Sequence, residues 1–132
     1  LVDETNQLKA AKTAISMAEE ILNINDERTE IVIVPEWNNK KILCKNLSGA
    51  DRAVLSSMLE VDGKTNKVKT NSTTADIVIL GAHNPDTGDR IFVPSQKAAL
   101  LMKNSAPLER LATVIQKLSG LNPEGVDEAE KN

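Results

Sequence analysis

The single cysteine, Cys44, and the single histidine, His83, are the side chains in this 132-residue sequence best suited to act as a nucleophile or a base. A thiol attacks as its thiolate, which at neutral pH needs a neighbouring base or positive charge. No histidine lies near Cys44 in sequence. Its place in the short apolar run Lys40 to Lys45 marks it as a small buried hydrophobe, unless the fold brings it beside His83. His83 precedes Asn84-Pro85, a pairing that suits the end of a helix better than a general base. Metal centres need several ligands converging, and each of these two residues stands alone. Gly63-Lys64-Thr65 resembles the end of a phosphate-binding loop, but the first glycine of that motif would fall at Met58. Asn84, Asp86, Gly88 and Asp89 hint at a calcium loop. Its required glycine would then be Asp89 and its closing glutamate Ser95. The sequence names no catalytic, metal-binding or cofactor-binding residue.

The composition narrows the partners. Nineteen acidic against sixteen basic residues give a formal charge of −3, which offers nucleic acid no electrostatic footprint. Lys64, Lys67 and Lys69 sit in a polar stretch beside Glu60 and Asp62 and read as a solvated loop. One tryptophan, one phenylalanine and no tyrosine leave little surface on which bases could stack. No apolar run approaches the ~20 residues that cross a bilayer, so no membrane partner is expected. A lone cysteine cannot form an internal disulfide, which fits a reducing compartment. Hydrophobic residues make up 40% of the chain, enough for one core built from Leu, Ile, Val and Ala.

These side chains must be positioned by a small α+β domain covering residues 1–132. Leu8, Ala11, Ile15, Ala18 and Leu22 recur at alternating steps of three and four, drawing one apolar stripe along a helix over residues 5–23. Such a stripe packs either on the protein's own core or on a partner helix; Leu8, Ile15 and Leu22 are the partner-binding candidates. The β-branched run Glu30 to Trp37 and the run Lys40 to Lys45 predict a hairpin over about 30–45, turned at Asn38-Asn39, which tolerate positive φ. Pro35 removes a ladder donor, placing this strand at an edge or a bulge. Trp37 then sits at the hairpin tip, covering one end of a small core. Ser48 with Asp51 predicts a capped helix to Leu59. Residues 61–74, polar and aperiodic, read as a flexible insertion. Thr74 to Ala82 reads as helix, with its Ile-Val-Ile run leaving a strand open, and 84–90 as a turn. Ser95 is expected to cap a helix from Gln96 to Lys103. Pro107 suits the first turn of another, whose stripe is Leu108, Leu111, Ala112, Ile115 and Leu118. Gly120-Leu121 suits a Schellman ending. Residues 122–132 read as an acidic tail that frays.

The order of these motifs carries a resemblance. The stretch VPEWNNKKILCKNLSGADR, residues 34–52, resembles a signature of bacteriophage tail assembly chaperones: a Pro-Glu-Trp hairpin, then a Leu-Ser-Gly-Ala helix start. Asp86-x-Gly88-x-Arg90-Ile91-Phe92, Leu118-Ser119-Gly120-Leu121 and the closing Glu130-Lys131-Asn132 follow in the same order. The resemblance runs from about Thr29 onward; the helix before it matches least, so its role in binding rests on periodicity alone. It implies a non-catalytic morphogenetic protein of phage or prophage tails, acting in the bacterial host cytoplasm and absent from the mature virion. The implied partners are the tape measure protein and, through a form extended by ribosomal frameshifting, the tail tube protein. No cofactor is implied. The competing reading is a structural tail component, tube-like or terminator-like, which would self-associate and stay in the particle.

Overall fold

The structure, a computed structural model, describes residues 16–58 and 70–121. Among these it has five α-helices and one three-stranded antiparallel sheet, an α+β arrangement. Residues 16–23 form helix α1. Strands β1 (Thr29–Val34) and β2 (Lys40–Lys45) form the hairpin, joined by a 3-10 turn over Pro35–Trp37. Asn38 and Asn39 both take positive φ, 56° and 57°, as the tight reversal demands. Pro35 lies just outside the ladder, where its missing N–H costs nothing, and β1 is the edge strand of the order β1-β2-β3. Register runs from Thr29 opposite Lys45 to Val34 opposite Lys40.

Helix α2 (Gly49–Met58) begins with a reciprocal capping box. The Ser48 N–H donates to Asp51 Oδ2 at 3.0 Å, and the Asp51 N–H to Ser48 Oγ at 3.1 Å. Helix α3 (Thr70–Gly81) is the central element, in contact with α2, α4 and α5. Ala75, Ile77, Val78, Ile79 and Leu80 are all buried, so this helix has no polar face along its second half. That resolves the helix-or-strand ambiguity of its Ile-Val-Ile run: a helix buried all round shows no stripe. The polar residues 70–74 belong to this helix rather than to an insertion, and Ser72 is buried. Packing has overridden the weak helix propensity of Thr, Asn and Ser. Residues 59–69 and 122–132 lie outside the described residues, and with them most of the expected insertion and the acidic tail.

Strand β3 (Ala82–His83) adds to β2, pairing Leu43 with His83 and Cys44 with Ala82. His83 is therefore a strand residue, two positions past the helix end where it was expected. The 94–101 region also departs from expectation. A 3-10 turn over Pro94–Gln96 leads into α4 (Lys97–Leu101), and Ser95 caps nothing. The Gln96 side chain instead accepts from the Val93 N–H at 2.9 Å. Lys97 Nζ reaches the fully buried Asp76 carboxylate, 3.0 Å from Oδ1 and 3.1 Å from Oδ2, and so ties α4 to α3.

Helix α5 (Ser105–Leu118) follows the sequence pattern closely. Asn104 caps it, Pro107 sits in its first turn, and Leu108, Leu111, Ala112 and Ile115 are buried. It ends in a Schellman turn: Gly120 at φ 78°, the Leu121 N–H on the Gln116 carbonyl and the Gly120 N–H on that of Lys117. Its apolar face covers the inner side of the hairpin, where Val34, Ile42 and Cys44 are buried, and crosses α3 at Gly81. A Cβ on Gly81 would lie 2.6 Å from the Ile115 side chain, so the close approach requires glycine there.

Candidate protein-binding surfaces

The residues able to do chemistry are placed apart. Strand alternation puts Cys44 on the inner face of the sheet and His83 on the outer face with Leu43. Cys44 is fully buried and its thiol is pushed up to about 12, by burial first and by the Glu30 carboxylate second. It is a core residue. His83 Nδ1 lies 2.9 Å from the Gly81 carbonyl, which can only accept, so Nδ1 carries the proton. Burial, the largest influence, holds its pKa below the ordinary histidine value. The Asn84–Asp89 loop spends its polar atoms on itself. Asn84 Oδ1 accepts from the Asp86 N–H and Thr87 Oγ1 from the Asp89 N–H, while the Gly88 N–H donates to the Asn84 carbonyl. No group of three His, Cys, Asp or Glu among the described residues is arranged to hold a metal ion. Gly63-Lys64-Thr65 lies outside them.

Two surfaces are better placed for a protein partner. The first is helix α1. Leu22 is 83% exposed, and Met17, Ile21 and Ile24 are each more than half exposed. The described part of the stripe therefore does not pack on the core; Leu8 and Ile15 lie outside the described residues. Met17 and Ile21, one turn apart, form a second exposed apolar strip on α1, and Ile24 just past its end is exposed too. Their own spacing of four and three was the signal that the choice of Leu8, Ile15 and Leu22 passed over.

The second is an open cleft of about 1020 Å³ between the hairpin tip, the 84–86 turn and α4. Its floor holds Trp37 and Phe92, half-buried and packed on the core, with ring centroids 6.5 Å apart and planes at 75°. Trp37 thus covers one end of the core, as its place at the tip implied; Phe92 as its partner had no local signal. Lys40, Lys41 and Lys103 stand at the cleft. Arg110 holds the tip down on α5 through a two-pronged pair with Glu36, at 3.0 and 2.8 Å. This pair holds the Glu36 carboxyl below its usual range. Arg90 bridges the α3 carbonyl of Leu80 and the Asp51 carboxylate at the start of α2.

The fold has a counterpart among solved structures. It is similar to the tail assembly chaperone of bacteriophage HK97, with a TM-score of 0.57 and 17% identity over 70% of this chain and 85% of that one. The two chains share a fold. No family model and no curated protein matches the sequence. At this level of identity the likeness belongs to the backbone and shows the fold alone.

Proposed function

We propose that this chain is a non-catalytic chaperone of phage tail assembly. It binds the tape measure protein, keeps that long helical client soluble, and helps recruit tail tube subunits through a frameshift-extended form. The observation that carries this reading is the fold shared with the HK97 protein, joined to the ordered motifs of residues 34–52, 86–92 and 118–121. The exposed band of α1 supports the mode of binding. An apolar helical face left in water suits a helical client, where burial contributes about 25 cal/mol per Å². We place Leu8, Ile15 and Leu22 on the client-binding face; the exposed Met17 and Ile21 form a separate apolar strip of the same helix. The protein acts in the bacterial host cytoplasm and is left out of the finished virion.

Affinity capture of the tagged chain from phage-producing cells, set beside mass spectrometry of purified particles, tests this. The expected result is capture of the tape measure protein and no trace of the chain in the virion. Stoichiometric presence in the particle would instead support the structural-component reading.

A further inference from the structure

The cleft beside the hairpin tip combines an apolar floor, a cationic rim and a stretch of unpaired backbone. Trp37 and Phe92, the only aromatic residues of the sequence, both line it, and the exposed Ile91 continues the floor. Lys40, Lys41 and Lys103 are all exposed, and none of them joins an ion pair among the described residues. Of the two carboxylates lining the cleft, Glu36 is already held by Arg110, which leaves Asp86 against three ammonium groups. On a chain of formal charge −3 this is a local reversal of sign. The backbone adds an independent feature. Strand β2 pairs with β3 only at Leu43 and Cys44, because the chain turns away at Asn84, whose N–H donates to the Asp89 carbonyl at 2.8 Å. On that side residues 40–42 line the cleft with no described strand beside them.

We propose that this cleft binds an extended acidic segment of another protein, laid along residues 40–42 as an added strand where β3 stops. Such a strand takes up the backbone hydrogen bonds of β2 that β3 leaves unused. Its side chains alternate between the two faces of the sheet. Ile42 is buried and Lys41 is exposed, so successive residues of the guest meet the aromatic floor on the inner face and Lys41 on the outer. The guest therefore alternates apolar and acidic residues. Its apolar side chains cover Trp37 and Phe92, and its carboxylates complement the three lysines. Tryptophan in a partly desolvated pocket is a favoured anchor for a protein partner. Nucleic acid fits less well, since two rings at 75° offer bases no pair of parallel faces. The cleft is separate from the apolar face of α1, and the inference stands independently of the chaperone reading.

Trp37 is the only tryptophan of the sequence, so its emission reports on the cleft alone. Titrating the full chain with a synthetic heptapeptide of alternating glutamate and leucine should shift that emission and saturate. The same peptide with lysine in place of glutamate should leave it unmoved. Raising the salt from about 0.01 M to about 1 M, which shortens the Debye length from about 30 Å to about 3 Å, should weaken binding. The triple variant Lys40→Glu, Lys41→Glu, Lys103→Glu changes only exposed side chains and should weaken it roughly tenfold or more, with the matching glutamine triple in between. Unchanged circular dichroism shows that both variants fold. Backbone hydrogen exchange at residues 40–42 should slow in the complex. No emission shift, equal binding of the lysine peptide, indifference to the lysine triple, or unchanged exchange at residues 40–42 would each overturn the proposal. So would tighter binding of an oligouridylate, which would make the cleft a nucleic-acid site. Emission that shifts with the chain's own concentration would assign the cleft to a second copy instead. Emission that shifts, with no peptide present, on changing Glu124→Gln, Asp127→Asn, Glu128→Gln and Glu130→Gln together would assign it to this chain's own residues 122–132.

Discussion

Helices α1 and α5 carry the same signal and meet opposite fates. Each has apolar residues recurring at three and four, yet α5 buries Leu108, Leu111 and Ile115 while Met17, Ile21 and Leu22 of α1 stay in water. Periodicity states that a face is apolar; what covers it depends on the rest of the fold. The difference lies in the anchors. Asn104 caps α5, the Schellman turn ends it, Arg110 pins it to the hairpin, and Ser119 Oγ accepts from the Leu47 N–H at 2.8 Å. From α1 the chain runs through exposed residues 24–28 to the sheet, and every residue in 16–30 is exposed.

The contrast can be broken at α5. Ile115 is fully buried between α3 and the hairpin, so Ile115→Ala should cost about 2–5 kcal/mol in a denaturant melt. The triple substitution Met17→Glu, Ile21→Glu, Leu22→Glu on α1 should move the same melt by no more than about 0.5 kcal/mol per site. A comparable loss in both would mean that α1 packs on the body.

A smaller effect sharpens the comparison at the Arg110–Glu36 anchor. The Arg110 hydrogen bonds lower the Glu36 pKa in the folded state. A lowered carboxylate pKa adds stability that is fully present above the unfolded value, about 4.3, and is lost as pH falls through the folded value. Glu36→Gln should therefore lose less stability than the parent chain as the pH drops below about 4.3. Identical acid profiles would show that the pair does not anchor the tip.

Features written in consecutive residues are legible in the sequence. The Asn38-Asn39 reversal, the Ser48–Asp51 box, the α5 stripe and the Gly120-Leu121 ending each depend on side chains within one turn of each other. Where the outcome depended on distant contacts, sequence reading gave less. Thr70 to Thr74 became helix because Ser72 and Ala75 pack on the core, and α3 hid its helical nature by being buried on every side. Pro94 and Gln96 reshaped the start of α4, displacing Ser95 from the cap. Of the cleft, Trp37 is readable as a tip residue, whereas Phe92, Lys103 and the open space come from the packing of α4 on α3, across from the hairpin tip. The exposed outer face of β1 was likewise hidden, since alternation shows two faces and leaves open which one is covered.

The central claim is that α1 offers its apolar face to a helical client. Co-expressing the tape measure protein with this chain, or with the α1 triple-glutamate variant, and measuring the soluble fraction of the client tests it most directly. The account predicts a soluble client with the parent chain and an aggregated one with the variant, whose own fold is intact. A client equally soluble with both chains would contradict it.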